Sequence, residues 1–172
     1  SQVLPMLEFS TPAVYHCTDN VLDEFDKVQN RFLRAAGLTA KEALLEYSLA
    51  PLQVRRDIAL LGVIHRTVLG LGPSQYKQWF YPKAAKETAN TRGQGNLHSK
   101  QLQDLLRFDH TDLLRRSPLS LIRVYNSLPQ EAVDCTTVKD FQRKLQNWVK
   151  ERARKDEDGW GNCLNRRKQL YK

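Results

Sequence analysis

The sequence lacks long apolar runs and a signal peptide, and these absences exclude several classes of protein. No run of apolar residues approaches the ~20 that a membrane-spanning helix needs, so no membrane partner is expected. The N-terminus, Ser-Gln-Val-Leu-Pro, has no initiator methionine and none of the regions of a signal peptide. It begins inside an apolar pattern and is interpreted as the start of a fragment cut from a longer polypeptide. The hydrophobic fraction of 41% is that of a globular protein and not of a disordered one.

Cysteine is also scarce. Cys17, Cys135 and Cys163 are odd in number and far apart. This argues against a secreted disulfide framework and favours a reducing intracellular compartment, nuclear or cytoplasmic. No cysteine has a partner two to four residues away, and the adjacent His16 and Cys17 are poorly spaced for a tetrahedral metal site. We therefore expect incidental thiols, no bound metal and no cofactor.

The sequence contains none of the common catalytic motifs. It has no glycine-rich phosphate loop, no Gly-x-Ser-x-Gly elbow and no His-x-x-x-His metal motif. The acidic clusters at 23–24 and 156–158 are typical of a helix first turn and of a solvated tail. Nothing resembles the paired aspartates that hold two magnesium ions for nucleotidyl transfer. The chain by itself is predicted not to be an enzyme.

Positive charge, by contrast, is abundant and is concentrated in one half of the chain. Residues 1–82 contain eight Lys or Arg and eight Asp or Glu, whereas residues 83–172 contain nineteen and eleven. The whole net charge of +8 therefore belongs to the second half. Such asymmetry is typical of a surface that faces a polyanion. The alternative is a solvated basic face that serves solubility, although solubility would not require the charge on one side.

The best-defined helix is predicted near residues 19–36. Thr18–Asn20 offer N-cap oxygens at its start, and Gly37 suits the position just after its end. Apolar residues follow at helical spacing, and Phe32 is expected to lie in the core.

Two further helices are predicted before residue 70. Thr39 and Glu42 form a capping box that opens a short helix through Tyr47. A richly apolar helix then spans residues 51–69, with a proline at its start. It contains His65, which we interpret as a packed residue and not as a catalytic base.

The second half is predicted to resume helical order after a loop. Residues 82–100 have almost no large apolar side chains and are interpreted as a flexible polar segment. The pattern near 97–108 fits either a short strand or a helix. Helices are predicted at 117–126 and at 137–153, and Trp148 is expected in the buried stripe of the latter.

Together these patterns predict an all-α fold, an irregular helical array in two small lobes joined by a polar loop. The predicted divisions are a helical lobe at 1–82, a polar linker at 83–100, a basic C-terminal helical lobe at 101–155 and a flexible tail at 156–172.

Two parts of the chain resemble one polymerase family. Leu7–Tyr15 (LEFSTPAVY) and Leu22–Arg34, which ends in VQNRFLR, look like the thumb that follows the palm in reverse transcriptases of non-LTR (LINE-type, jockey-like) retrotransposons. The pair Arg116-Ser117, the segment Val124–Pro129 (VYNSLP) and the series Val138, Phe141 and Leu145 are similar to the C-terminal segment of the same proteins. The resemblance covers residues 3–150. Tyr125 stands where tryptophan is more usual, and the fingers, palm and catalytic aspartates are expected upstream.

The resemblance implies a non-catalytic thumb and C-terminal connection that acts with an upstream palm and fingers. It would hold a template–primer duplex, RNA or DNA, by the backbone, and lysine and arginine on helices suit this role because they neutralise phosphates without reading sequence. The residues predicted to do so are Arg115, Arg116, Arg143, Lys144, Lys150, Arg152 and Arg154. The alternative is a degenerate or co-opted helical module that binds protein through Trp79, Phe80 and Tyr81.

Overall fold

A computed structural model of the chain describes residues 14–83, 98–106 and 112–164. These residues are mostly helical, and no strand forms among them. The only β pairing in these ranges is an isolated antiparallel bridge between Pro82 and Leu102. The prediction of an all-α fold is confirmed. Most of the predicted polar loop, residues 84–97, lies outside the described residues.

Among the described residues up to 83, three α-helices form at bounds close to the predicted ones. They are α1 (Asp19–Ala35), α2 (Ala40–Tyr47) and α3 (Leu52–Val68). The predicted capping box is present, because the Thr39 hydroxyl accepts from the Glu42 backbone N–H and the Glu42 carboxylate accepts from Thr39 N–H. Gly37 adopts a φ of 68° directly after α1, the left-handed conformation that favours glycine.

In 98–106 and 112–164, the structure shows shorter elements and one long helix. In chain order the helices are α4 (Asp112–Arg115), α5 (Leu121–Asn126), α6 (Gln130–Val133) and α7 (Val138–Arg154). The helix predicted at 117–126 begins as a 3-10 turn, Pro118–Ser120, at whose start the Ser117 hydroxyl accepts from the N–H of Leu119 at 3.2 Å. Further 3-10 turns span Ser74–Gln78 and Trp160–Asn162.

One hydrophobic core joins the two halves of the chain. Helix α7 packs on α3 and α2, and α3 also contacts α1 and α5. The core includes Leu61 and Ile64 from α3, Tyr125 from α5 and Phe141 from α7. The two predicted lobes therefore share a core within the described residues. Leu164 is buried in the same core, so packed structure continues past the predicted tail boundary at 155.

A chain of buried polar groups crosses this core. His65 Nδ1 lies 3.0 Å from the Tyr125 hydroxyl, and His65 Nε2 lies 2.8 Å from the Cys135 carbonyl oxygen. The His65 ring also stacks on Phe141 with ring centroids 4.1 Å apart. On the far side of Tyr125, His98 Nε2 donates to its carbonyl oxygen at 2.9 Å. The interpretation of His65 as a packed residue is confirmed.

The expectation that Phe32 lies in the core is wrong. Its side chain is 55% exposed, because α1 buries a neighbouring stripe composed of Leu22, Gln29 and Leu33. Gln29 can occupy that stripe because its amide donates to the Ala50 carbonyl oxygen at 3.0 Å. Trp148 is half-buried and packs against the core.

The aromatic run at 79–81 is divided between core and surface. Phe80 is buried, whereas Trp79 and Tyr81 are 47% and 40% exposed. The protein-binding surface that the sequence suggested therefore lacks Phe80. Near 98–106, the alternative of a short strand reduces to the single bridge at Leu102.

Candidate nucleic-acid interface

Helix α7 is anchored by a stripe of small and large apolar residues. Phe141, Leu145, Val149 and Ala153 recur every four residues and are all buried. The helix begins at a definite point, because the Thr137 hydroxyl accepts from the N–H of Asp140 at 3.1 Å. Since one face is fixed on the core, the opposite face must point to solvent.

The remaining positions of α7 are strongly cationic. From Val138 to Lys155 the chain carries seven Lys or Arg and two Asp or Glu. Five of the seven residues predicted to contact nucleic acid lie in this helix. The fold therefore places most of the predicted contacts on one rigid element.

Three of the predicted residues, Arg143, Lys150 and Arg154, lie on the side of α7 away from the buried stripe. Arg143 and Arg154 are exposed, and the Arg143 side chain pairs with Asp140 at 3.0 Å while remaining 60% exposed. Lys150 is half-buried, because its Nζ donates to the Ser48 hydroxyl at the end of α2 at 2.8 Å. Surface pairs of this kind are weak and exchange with other anions at little cost.

The other two α7 residues predicted to bind nucleic acid, Lys144 and Arg152, contact the protein itself. Lys144 Nζ donates to the Glu131 carbonyl oxygen at 2.7 Å, near the end of α6. The Arg152 guanidinium lies 3.5 Å from the Glu157 carboxylate and 4.2 Å from the centre of the Trp148 ring. Arg152 is thus held on both sides, and it is positioned less freely than Arg143 or Arg154.

Arg115 and Arg116 do not share the helix with the other five residues. Arg115 is the last residue of α4, and Arg116 follows it. The Arg116 guanidinium donates to the His16 carbonyl oxygen at 3.0 Å and so ties this region to the start of α1. That contact gives Arg116 a structural role that the sequence did not predict.

A cleft lies beside α7 that no sequence pattern predicted. The cleft has a volume of about 320 Å³ and lies where the end of α2 and the start of α3 meet α7. Its lining includes Ser48, Arg55, Ile58, Gln142 and Gln146. Gln146 donates to the Ser48 carbonyl oxygen at 3.1 Å, so Gln146 and Lys150 both fasten α7 to Ser48. No local sequence pattern predicts this cleft, because its walls come from segments about ninety residues apart in the chain.

At the cleft, the Gln142 side chain of α7 lies directly against Gly62 of α3. A Cβ at this position would lie 2.5 Å from Nε2 of Gln142. The missing side chain therefore leaves the space that the Gln142 amide occupies.

In 14–83, 98–106 and 112–164, no group of three or more His, Cys, Asp or Glu side chains could hold a metal ion. Within the same ranges, no helix has the length and apolar character to cross a bilayer. The three cysteines are thiols, and burial raises the pKa of Cys163 to about 11, so this thiol stays protonated at neutral pH.

In the part of the chain that the structure describes, the fold is all-α and carries a basic helix, α7, on its surface. Comparisons with known protein families, with curated proteins and with solved structures find no match to this chain.

Proposed function

We propose that this chain is the non-catalytic C-terminal region of a non-LTR retrotransposon reverse transcriptase and that it holds template–primer nucleic acid through phosphate contacts. The observation that carries the proposal is the division of α7 into a buried apolar stripe and a cationic outer surface. A helix fixed in this way can present cations at constant positions to a regularly spaced phosphate backbone.

Arg143, Lys150 and Arg154 are the leading residues. Their side chains extend from the face of α7 opposite Leu145, and their present partners, where the structure shows them, are a surface carboxylate and a hydroxyl. A nucleic-acid phosphate can replace such partners, since it offers more negative charge and releases bound counterions. Contacts of this type carry no sequence preference.

Neutralising these three residues tests the proposal. The variant Arg143→Gln, Lys150→Gln, Arg154→Gln should bind duplex more weakly than the parent. Its plot of log affinity against log salt should be flatter by about 2.7 units, about 0.9 for each lost phosphate contact. The readout is fluorescence anisotropy of a labelled duplex over a series of salt concentrations.

A matched control separates a specific surface from net charge. Lys27, Arg31 and Arg34 are three exposed cations on α1, and their replacement by glutamine removes the same charge from the neutral half of the chain. The control should keep the salt slope of the parent. If both triple variants lose equal slope, bulk charge and not α7 governs binding, and the proposal fails.

A further inference from the structure

A second exposed surface lies beyond the end of α3. Tyr76, Trp79 and Tyr81 are 41%, 47% and 40% exposed, although tyrosine and tryptophan are usually more buried. We call these three residues the aromatic platform. All three lie within six residues of one another in the chain, at and just after the 3-10 turn Ser74–Gln78.

The backbone that carries the aromatic platform is fixed. Phe80, which lies between Trp79 and Tyr81 in the sequence, is buried. Its ring packs edge-on against the Tyr76 ring, with the ring centroids 6.3 Å apart. The N–H groups of Trp79 and Phe80 both donate to the Tyr76 carbonyl oxygen, at 3.0 and 2.9 Å. The Tyr81 carbonyl oxygen accepts from the N–H of Gln103 at 3.0 Å. The platform is thus supported by the core and needs no folding step to present its rings.

The charge around the platform has one sign along the chain. Residues 58–86 contain no aspartate or glutamate, and they include Lys77 and Lys83 beside the aromatic residues. In the segment that pairs with 81–83, the one acidic residue is Asp104, and its carboxylate is occupied by Arg123. Flat rings accompanied along the chain by lysines suit a polyanion that has bases to stack.

We propose that the aromatic platform binds single-stranded nucleic acid by base stacking, at a surface distinct from α7. Each ring can accept one base, because every base has a flat π face, and Lys77 and Lys83 can neutralise the adjoining phosphates. A duplex offers few stacking faces away from its ends. The platform therefore selects unpaired strand, whereas the α7 cations neutralise phosphates of any strand.

Oligonucleotide binding tests this assignment directly. We expect a thymidine homopolymer to quench tryptophan emission, since Trp79 is exposed whereas Trp148 and Trp160 are half-buried. Trp79→Ala and Tyr81→Ala should each weaken binding of the labelled single strand roughly 5- to 150-fold, while Trp79→Phe should retain most of the affinity. Both residues are exposed, so the variants should fold, which far-UV circular dichroism checks.

Leu71→Ala is the matched control. Leu71 is 62% exposed in the same acid-free stretch but has no ring to stack. Its replacement should leave single-strand affinity unchanged. Equal losses for Leu71→Ala and Trp79→Ala would overturn stacking in favour of a general apolar patch. Wild-type chain that does not bind the single strand at low salt would also overturn it, and would leave the rings to a protein partner.

The α7 variant distinguishes this inference from the proposed function. If the α7 triple variant loses duplex affinity but keeps binding that depends on Trp79, the two surfaces are separate as proposed. Single-strand binding without any duplex binding would contradict the role of α7 and leave the platform intact. A loss of duplex affinity in Trp79→Ala as large as its loss for single strand would contradict the platform's selectivity.

Discussion

Replacing Tyr125 with phenylalanine should show how much the buried hydrogen bond between Tyr125 and His65 contributes to the free energy of unfolding. Tyr125 and His65 are both fully buried. His65 Nε2 faces the Cys135 carbonyl oxygen, which can only accept, so Nε2 carries the proton and Nδ1 is an acceptor. The Tyr125 hydroxyl must therefore donate to Nδ1 across 3.0 Å. Burial raises the pKa of Tyr125 above its ordinary value, which keeps this donor protonated at neutral pH.

The magnitude follows from what Tyr125→Phe leaves behind. The phenyl ring keeps its edge-on contact with His98, whose ring centroid is 5.5 Å away, and its contact with Phe141 at 6.1 Å. The His65 Nδ1 atom, however, becomes a buried acceptor without a donor. Leaving such a group unsatisfied costs about 1–3 kcal/mol, so the free energy of unfolding should fall by that amount.

Urea denaturation at neutral pH is the assay. The midpoint should shift without a change in slope, because the substitution alters stability and not the surface exposed on unfolding. Tyr47→Phe provides the control, since the Tyr47 side chain is 64% exposed and its hydroxyl should matter by less than about 0.5 kcal/mol. If Tyr125→Phe is as mild as this control, the hydroxyl does not stabilise His65 and the assigned tautomer is wrong.

Two further predictions concern the same core. Phe141→Ala should cost roughly 3–5 kcal/mol in urea melts, whereas Phe32→Ala should cost less than about 1 kcal/mol, and equal costs would contradict the observed exposure of Phe32. Acid should also destabilise the fold, because burial lowers the pKa of His65 and His98 below the ordinary 6.5, so that the unfolded chain binds more protons. Stability is therefore fully present above pH 6.5 and falls as the pH drops below it, by up to about 1.4 kcal/mol per pH unit for each histidine. A flat stability profile between about pH 7 and 5 would show that these rings are not buried as neutral bases.

Helix boundaries were predictable because their signals are local. The capping box at Thr39 and Glu42, the glycine after α1 and the proline before α3 act within a few residues of the chain. Such features favour one backbone conformation whatever the rest of the molecule does. The predicted and observed bounds of the long helices accordingly differ by one residue at each end at most.

The choice of buried face was not predictable from apolar spacing alone. In α1, the apolar pattern favoured Phe32, yet the helix buries Gln29, which finds an acceptor in a carbonyl 21 residues away. Similarly, His98 lies at the end of a segment that looked like solvated loop. It is buried because Tyr125 and Lys100 supply hydrogen-bond partners to both of its ring nitrogens. From sequence alone a polar residue is predicted to be exposed, because the distant group that satisfies its hydrogen bonds when it is buried is not apparent.

For the candidate interface, too, some features could be predicted from the sequence and others could not. The amphipathic character of α7 follows from its sequence, and the structure has its apolar stripe on the core as expected. The partners of Lys144, Lys150 and Arg116 come from other parts of the chain, so their partial engagement could not be inferred. The cleft at Ser48 needs three separate segments and has no sequence signal of its own.

The salt dependence of duplex binding by the unmodified chain is the most direct test of whether it contacts phosphates. If the α7 surface grips phosphates, log affinity should fall linearly with log salt between about 50 and 200 mM, with a slope of about −2.7 or steeper for three or more contacts. The slope should be the same for duplexes of unrelated sequence, since phosphate contacts carry no base information. No measurable binding at the lowest salt concentration, or an affinity that does not change with salt, would contradict the claim that this chain holds nucleic acid by its phosphates.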